Sequence, residues 1–275
     1  GTRNRESLSP GSRLLTSDFC LSEKGFTLIE LIMVVVILGI LGVMGADFIS
    51  KGFEGFNATN SRISIYEEGK IALVRMEREI HNAVPNAIDL AAANDLRFGM
   101  IDEQAMNIAS NIFGMYQENP PTSTITDLSG GVLPVGKVVS IYNRDWADFT
   151  VVATHRLYGI VNPAGPPMTL SKNMPPPRSS PQKRYYAVDR AIRYFLNGTT
   201  LERSQSPINS GNLGTIVADL TGAIPQPLAR NVTALTFGYT AGTLTRNAVV
   251  TIDFTITRNG EAIAFHKEVH VRNVP

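Results

Sequence analysis

Polar and apolar positions change rhythm three times along the chain, and each rhythm predicts a different element. Residues 26–46 read FTLIELIMVVVILGILGVMGA, and Thr27 and Glu30 carry the only clearly polar side chains. A helix of that length reaches about 30 Å, the thickness of a bilayer's hydrocarbon core. The core helix of a soluble domain keeps polar positions along one face; this segment shows no such face and is read as a membrane span. Residues 61–84, SRISIYEEGKIALVRMEREIHNAV, place Tyr66, Leu73, Met76, Ile80 and Val84 near one side. Glu67, Lys70, Arg75, Arg78 and Glu79 fall largely elsewhere, and Arg75 with Glu79 makes an i,i+4 pair. Pro85 ends the pattern. The expectation is one long helix from 26 to about 84, weakest at Lys51–Asn60, where Gly52 and Gly55 favour a bend or an opening.

Beyond it the period shortens to two. Val250, Ile252, Phe254 and Ile256 alternate with Thr251, Asp253, Thr255 and Thr257, the pattern of a half-buried strand. Asn259-Gly260 then supplies a two-residue hairpin turn, and Ile263, Phe265, Val269 and Val271 line the returning strand, with Lys267 interrupting that face. A second hairpin is expected around Asn197-Gly198, and further strands at 95–101, 137–142, 149–154 and 232–240. Residues 162–184 hold Pro163, Pro166, Pro167, Pro175, Pro176, Pro177 and Pro181, a density that reads as a solvated surface loop. No internal repeat is visible. The predicted fold class is α+β: a long amino-terminal helix followed by an antiparallel β head over 85–275.

Composition narrows the functions. Of the 275 residues 43% are hydrophobic, ample for a packed core. A formal charge of +1 supplies no basic field for nucleic acid. Cys20 is the lone cysteine, so neither an intrachain disulfide nor a cysteine metal site can form. The chain starts at Gly1 with no methionine before Met33, which is read as a missing or misplaced translation start. His266 and His270 lie in an expected strand, about 13 Å apart, too far to share a metal ion, and are read as solvent-facing. No nucleophile elbow, phosphate loop or dinucleotide fingerprint occurs, so no catalytic residue, metal or cofactor is assigned, and the chain is read as a non-enzyme. The triplets at Asn57, Asn197 and Asn231 are read as chance, and Trp146 as a core residue rather than a sugar platform.

The isolated acid is the informative residue. An ordinary signal peptide has a shorter apolar run and a cleavage site after it; here the polar punctuation, Lys24-Gly25, comes before the run. A cut after Gly25 frees the α-amine of Phe26, four residues from Glu30 and on the same helical face. Thr27 and Glu30 also fit a capping box at a helix start. Capping serves a soluble helix equally well, however, whereas a carboxylate in hydrocarbon costs on the order of a few kcal/mol and calls for a partner. The partner inferred is the Phe26 amine, on the same chain or a neighbour. Arg3, Arg5, Arg13 and Lys24 precede the span and only Lys51 and Arg62 follow closely, which places the amino terminus in the cytoplasm.

Lys24-Gly25-Phe26-Thr27-Leu28-Ile29-Glu30-Leu31 resembles the class III signal of type IV prepilins and type II secretion pseudopilins. The resemblance implies cleavage by a prepilin peptidase between Gly25 and Phe26, methylation of Phe26, and use of Glu30 in assembly. Residues 1–25 become a leader, and 26–46 the membrane part of a long helix. This leader carries three acids besides its four cations, and Asp47 stands where many pilins have proline. Gly39, Gly42 and Gly45 recur every third residue and would permit close helix approach. LVRMEREIHNAVPNAI, RAIRYFLNGTTLER and FHKEVHVRNVP resemble, in order, segments of MSHA-pilus biogenesis proteins of the MshO type, although the head lacks the disulfide of many pilins. The implied function is a minor pilin that primes or caps a filament, held in the bacterial inner membrane before assembly. Its partners would be the prepilin peptidase, other major and minor pilins, the inner-membrane assembly platform and the lipid bilayer. The alternatives are a type II secretion minor pseudopilin and, in a different class, a membrane-anchored periplasmic binding protein that never polymerises.

Overall fold

The computed structural model describes residues 25–106, 113–120, 122–129, 133–162, 167–174, 180–243 and 246–271. The chain divides into two units, 1–55 and 56–275. In the first, α1 (Leu28–His81) begins, and every described side chain is exposed. The stretch Lys51–Asn60 is helical throughout, not opened as its glycines suggested.

In the second unit α1 is amphipathic. Ser61, Ile65, Gly69, Ala72, Met76 and Ile80 recur three or four apart and are buried. This face is turned slightly from the expected one: Tyr66 is 52% exposed, and Leu73 only half-buried. The helix also ends at His81, before the expected residue 84, and Val84 already lies in a strand. The cause is Pro85, whose ring pushes the preceding residue out of the α region.

The strands and short helices that follow are β1 (Ala83–Ala92), β2 (Asp95–Ile101), α2 (Glu103–Met106), β3 (Gly114–Asn119), β4 (Thr124–Asp127), β5 (Val138–Ser140) and α3 (Ala147–Thr150). Then come β6 (Leu157–Asn162), β7 (Met168–Leu170), β8 (Arg184–Asn197), β9 (Thr200–Pro207), α4 (Ile216–Gly222), β10 (Gln226–Ala229), β11 (Val232–Thr240), β12 (Val249–Arg258) and β13 (Glu261–His270). Among the described residues they form one sheet ordered β1-β2-β8-β3-β4-β7-β6-β5 and a second ordered β11-β12-β13. All pairings are antiparallel, and β5 pairs back onto β8, which also carries β9. The α+β class, an apolar amino-terminal helix followed by antiparallel sheet, is therefore as expected, and its architecture is consistent with a pilin-like protein.

Local chemistry explains most of the strand ends. Asn259 and Gly260 both adopt positive φ, 53° and 80°, as the tight turn joining β12 and β13 requires. In the β8–β9 hairpin Asn197 pairs with Thr200, so the turn residues are Gly198 and Thr199. The strand expected at 149–154 is absent: Ala147–Thr150 is a helical turn. Asp145 Oδ1 accepts from the Asp148 backbone N–H at 2.8 Å, and Trp146 O accepts from Phe149 N at 3.0 Å. This side-chain bond competes with strand formation. The proline-rich segment is also not simply a solvated loop. Met168–Leu170 pairs with β4 and β6, and Met168, Leu170, Met174 and Ser180 are buried. Pro163, Pro166 and Pro175–Pro177 lie outside the described residues.

Two cores result. One gathers Tyr116, Phe149, Tyr158 and Tyr185 within the larger sheet. The other joins Ile65, Met76 and Ile80 of α1 to Phe98, Tyr194, Ile252 and Phe265. Lys267, the interruption on β13, reaches back to Glu77 of α1 at 2.9 Å. At Gly69 the helix approaches β13 so closely that a Cβ would lie 2.1 Å from the Phe265 ring. Glu79, assigned from sequence to the polar side, is instead buried. It accepts from Arg203 Nε at 2.8 Å, from the Tyr194 hydroxyl, and from Arg75 Nε at 3.4 Å. Burial, with the Glu79 carboxylate beside it, raises the Tyr194 hydroxyl well above its usual pKa.

Arg203 is 3% exposed, so removing its carboxylate leaves a buried charge unpaired. Glu79→Ala is expected to destabilise the head by about 3–5 kcal/mol, and Gly69→Ala by about 1–3 kcal/mol through overpacking. Glu268→Ala, at an exposed site, should stay within about 0.5 kcal/mol. Urea unfolding of the chain in detergent measures all three. A Glu79→Ala loss no larger than the Glu268→Ala loss would show that the network holds nothing.

Candidate processing and assembly segment

The segment is built by its first turn. Gly25, Phe26 and Thr27 precede α1, and Phe26 is 80% exposed. Thr27 caps the helix. Its carbonyl accepts from Glu30 N at 3.1 Å and Leu31 N at 3.2 Å, and its Oγ1 accepts from Glu30 N at 3.3 Å. Half of the expected capping box is therefore present, the half made by the Thr27 side chain. The other half is not seen: among the described residues no hydrogen bond or ion pair reaches the Glu30 carboxylate. Glu30 stays in the first turn, where its charge complements the positive helix end.

Beyond this turn the surface is apolar without interruption. Leu28, Val43 and Met44 are 76%, 74% and 65% exposed, and no side chain of the span is buried among the described residues. The helix is long and apolar enough to cross a membrane. At Gly39, Gly42 and Gly45 an added Cβ would meet nothing within 4 Å, so these glycines serve no contact inside the described chain.

The second unit repeats the theme more sparsely. Phe56, Ile63 and Val74 recur at helical spacing on the side of α1 opposite Ile65, Ala72 and Met76. They are 62%, 52% and 52% exposed. The amphipathic half thus has two apolar faces, one covered by the head and one open, a feature the sequence reading missed although the spacing was visible.

The other candidate residues lie apart from this segment. His266 and His270 are exposed on β13, as expected. His266 Nδ1 lies 2.6 Å from Asp253 Oδ1, which raises its pKa, and His81 Nδ1 lies 2.9 Å from the His270 carbonyl. Trp146 is half-buried, packs on the first core and stacks on Phe149 at 5.4 Å.

The family model of the prokaryotic N-terminal methylation motif matches residues 20–46. No curated protein and no solved structure matches the chain. The chain thus carries a type IV prepilin-like class III signal on an apolar helix consistent with inner-membrane anchoring. The motif supports a type IV pilin-like or pseudopilin-like protein, structural rather than enzymatic in kind. It implies processing by prepilin peptidase and assembly with other pilins.

Proposed function

We propose that this chain is a minor prepilin of an MSHA-type type IV pilus. In this reading residues 1–25 are a leader, removed between Gly25 and Phe26, and the new amino terminus at Phe26 is methylated. Residues 26–46 hold the subunit in the inner membrane, amino terminus in the cytoplasm and head in the periplasm, until the helix enters a filament. The observation that carries the reading is the register: glycine and phenylalanine directly ahead of a helix, glutamate in its first turn, and an apolar surface that is open over the first part of that helix. Lipid covers that surface first and neighbouring helices cover it afterwards, with Gly39, Gly42 and Gly45 letting helices approach. The open stripe of Phe56, Ile63 and Val74 supplies further contact area along the same helix.

Glu30 supplies register by meeting the Phe26 amine of its own chain or of a neighbour. Once residues 1–25 are removed, basic and acidic side chains are equal in number, so long-range charge drives no assembly. The MshO-type segments and a bulky head with its proline-rich region favour a rare subunit at the start or tip of the pilus over one that tiles a lattice on every side.

Three outcomes are expected. Gly25→Val should accumulate as uncleaved precursor in the membrane fraction, while amino-terminal sequencing of the wild type should begin at methylated Phe26. A mature terminus at or beyond Ala46 would mean an ordinary signal peptide. Glu30→Leu should insert and be cleaved yet fail to enter sheared filaments; loss of a cap alone costs about 1 kcal/mol and leaves incorporation largely intact. Deletion should reduce the number of pili without changing their bulk composition, with this chain at no more than a few per cent of the major pilin by quantitative mass spectrometry. Its recovery as the dominant subunit would sink the minor-pilin assignment.

A further inference from the structure

β13 is the last strand of its sheet. It pairs with β12 without a register shift, from Arg258 opposite Glu261 to Val249 opposite His270. Among the described residues no strand pairs with its other side. The far edge of the same sheet is closed, because on β11 Val232 N donates to Thr199 O at 2.8 Å and Phe237 N to Ala93 O at 2.7 Å.

The pleat decides which backbone groups of β13 are left over. Val271 N donates inward, to Ala248 O at 2.9 Å, so the odd-numbered residues of the strand turn their N–H and C=O groups toward β12. The even-numbered ones, Ala262, Ala264, His266, Glu268 and His270, turn theirs outward. The His270 carbonyl meets His81 Nδ1 at 2.9 Å, which closes that end of the edge. Among the described residues no hydrogen bond reaches the backbone of Ala262, Ala264, His266 or Glu268. Native edges are guarded by proline, a bulge or an inward-pointing charge. β13 has no proline and no bulge, and its inward charge, Lys267, is spent on Glu77 at 2.9 Å. Beside the edge lies a groove of about 480 Å³, lined by Val74, Arg78 and His81 of α1 and by Val269 and His270 of β13. Val74, 52% exposed, belongs to the open apolar stripe of the helix.

We propose that β13 accepts an extended strand of another polypeptide, which adds to this edge and sets alternate apolar side chains into the groove. A row of N–H and C=O groups at strand spacing is matched in full by another strand. Residues of the added strand whose backbone faces β13 carry their side chains on the outer face, beside Ala262 to Glu268. The residues between them point to the α1 side, where Val74 and Val269 supply apolar walls. A second copy of this chain fits less well. α1 and β13 run the same way, from the Arg62–Glu261 pair at 2.6 Å to the His81–His270 contact, so antiparallel pairing of two β13 strands sets their helices head to tail. Chains anchored in one membrane, as proposed above, share one direction of α1.

The probe is a blocked, dye-labelled peptide, Ser-Val-Thr-Val-Thr-Val-Ser, whose anisotropy is followed on titration with the full chain in detergent. Its binding should saturate. The threonine amides face β13 when the valines occupy the groove, so N-methylating both should weaken binding at least about tenfold, the loss of two hydrogen bonds. N-Methylating two valine amides should leave the affinity within about twofold, since no bond is lost. Ala264→Pro removes an outward donor and none that β12 uses, a place where an edge strand tolerates proline, and should weaken binding about tenfold. The proposal is overturned if the two methylated peptides bind alike, if the valine-methylated one is the weaker, if Ala264→Pro binds as the wild type does, or if nothing saturates. It is also overturned if sedimentation shows the wild type dimeric and Ala264→Pro monomeric, because the occupant is then a second copy. Should Ala264→Pro fail to fold, the two methylated peptides decide alone. None of these readouts depends on leader cleavage or filament entry, so failure here leaves the minor-pilin reading standing.

Discussion

Apolar surface that the chain itself leaves uncovered is the constraint on which everything else depends. Among the described residues, no side chain between Leu28 and Gly55 is buried, and the apolar side chains there are large. At roughly 25 cal/mol per Å² such a surface is not left in water. Something beyond the described residues must cover it, and lipid or other apolar helices are covers that match. Both environments lack groups to satisfy a backbone, so the segment has to be helical. The signal ahead of it and the helix within it thus follow from one requirement.

The amphipathic half answers the same problem differently. Ile65, Ala72, Met76 and Ile80 are covered by the chain's own sheets, and the close approach at Gly69 brings the Phe265 ring directly onto the helix. The head is therefore partly built on the helix that presents it, and β12 and β13 are tied to α1 by Lys267–Glu77 and by the Arg258–Glu68 pair at 2.6 Å. A perturbation of the helix between Ser61 and Ile80 is a perturbation of the head's core. The opposite stripe, Phe56, Ile63 and Val74, takes no part in that core among the described residues.

What could be read from the sequence was local. The β12–β13 hairpin was legible because its alternation and its Asn-Gly turn are decided within two dozen residues, and Lys267 looked anomalous only until Glu77 supplied its partner. The class III signal was legible for the same reason. Residues whose environment is set by distant strands were not. Glu79 sits in register with Ala72, Met76 and Ile80, yet its type argued for solvent; Arg203 and Tyr194, more than a hundred positions away, reverse that argument. The strand expected at 149–154 failed because a short apolar run fits either element, and Asp145 decided for the turn. β7 was hidden by the prolines on both sides, although Met168 and Leu170 lie between them and are free to pair.

Two glutamates on α1 face the same physical problem and resolve it in opposite ways. Glu79 is surrounded by apolar side chains, and its own fold supplies two guanidinium groups and a phenol. Glu30 is set among leucines and isoleucines, and the described chain supplies its carboxylate with nothing. A carboxylate carried into hydrocarbon costs on the order of a few kcal/mol, and capping is typically worth about 1 kcal/mol. The Thr27 side chain already performs that capping without help from the Glu30 carboxylate. The remaining cost is recovered only if a cation arrives from elsewhere, and the amine created by a cut after Gly25 would arise at the right end of the helix. Under the proposed processing, Glu79 is thus the control for Glu30: the same side chain on the same helix, complete within one molecule at one end and awaiting the Phe26 amine at the other.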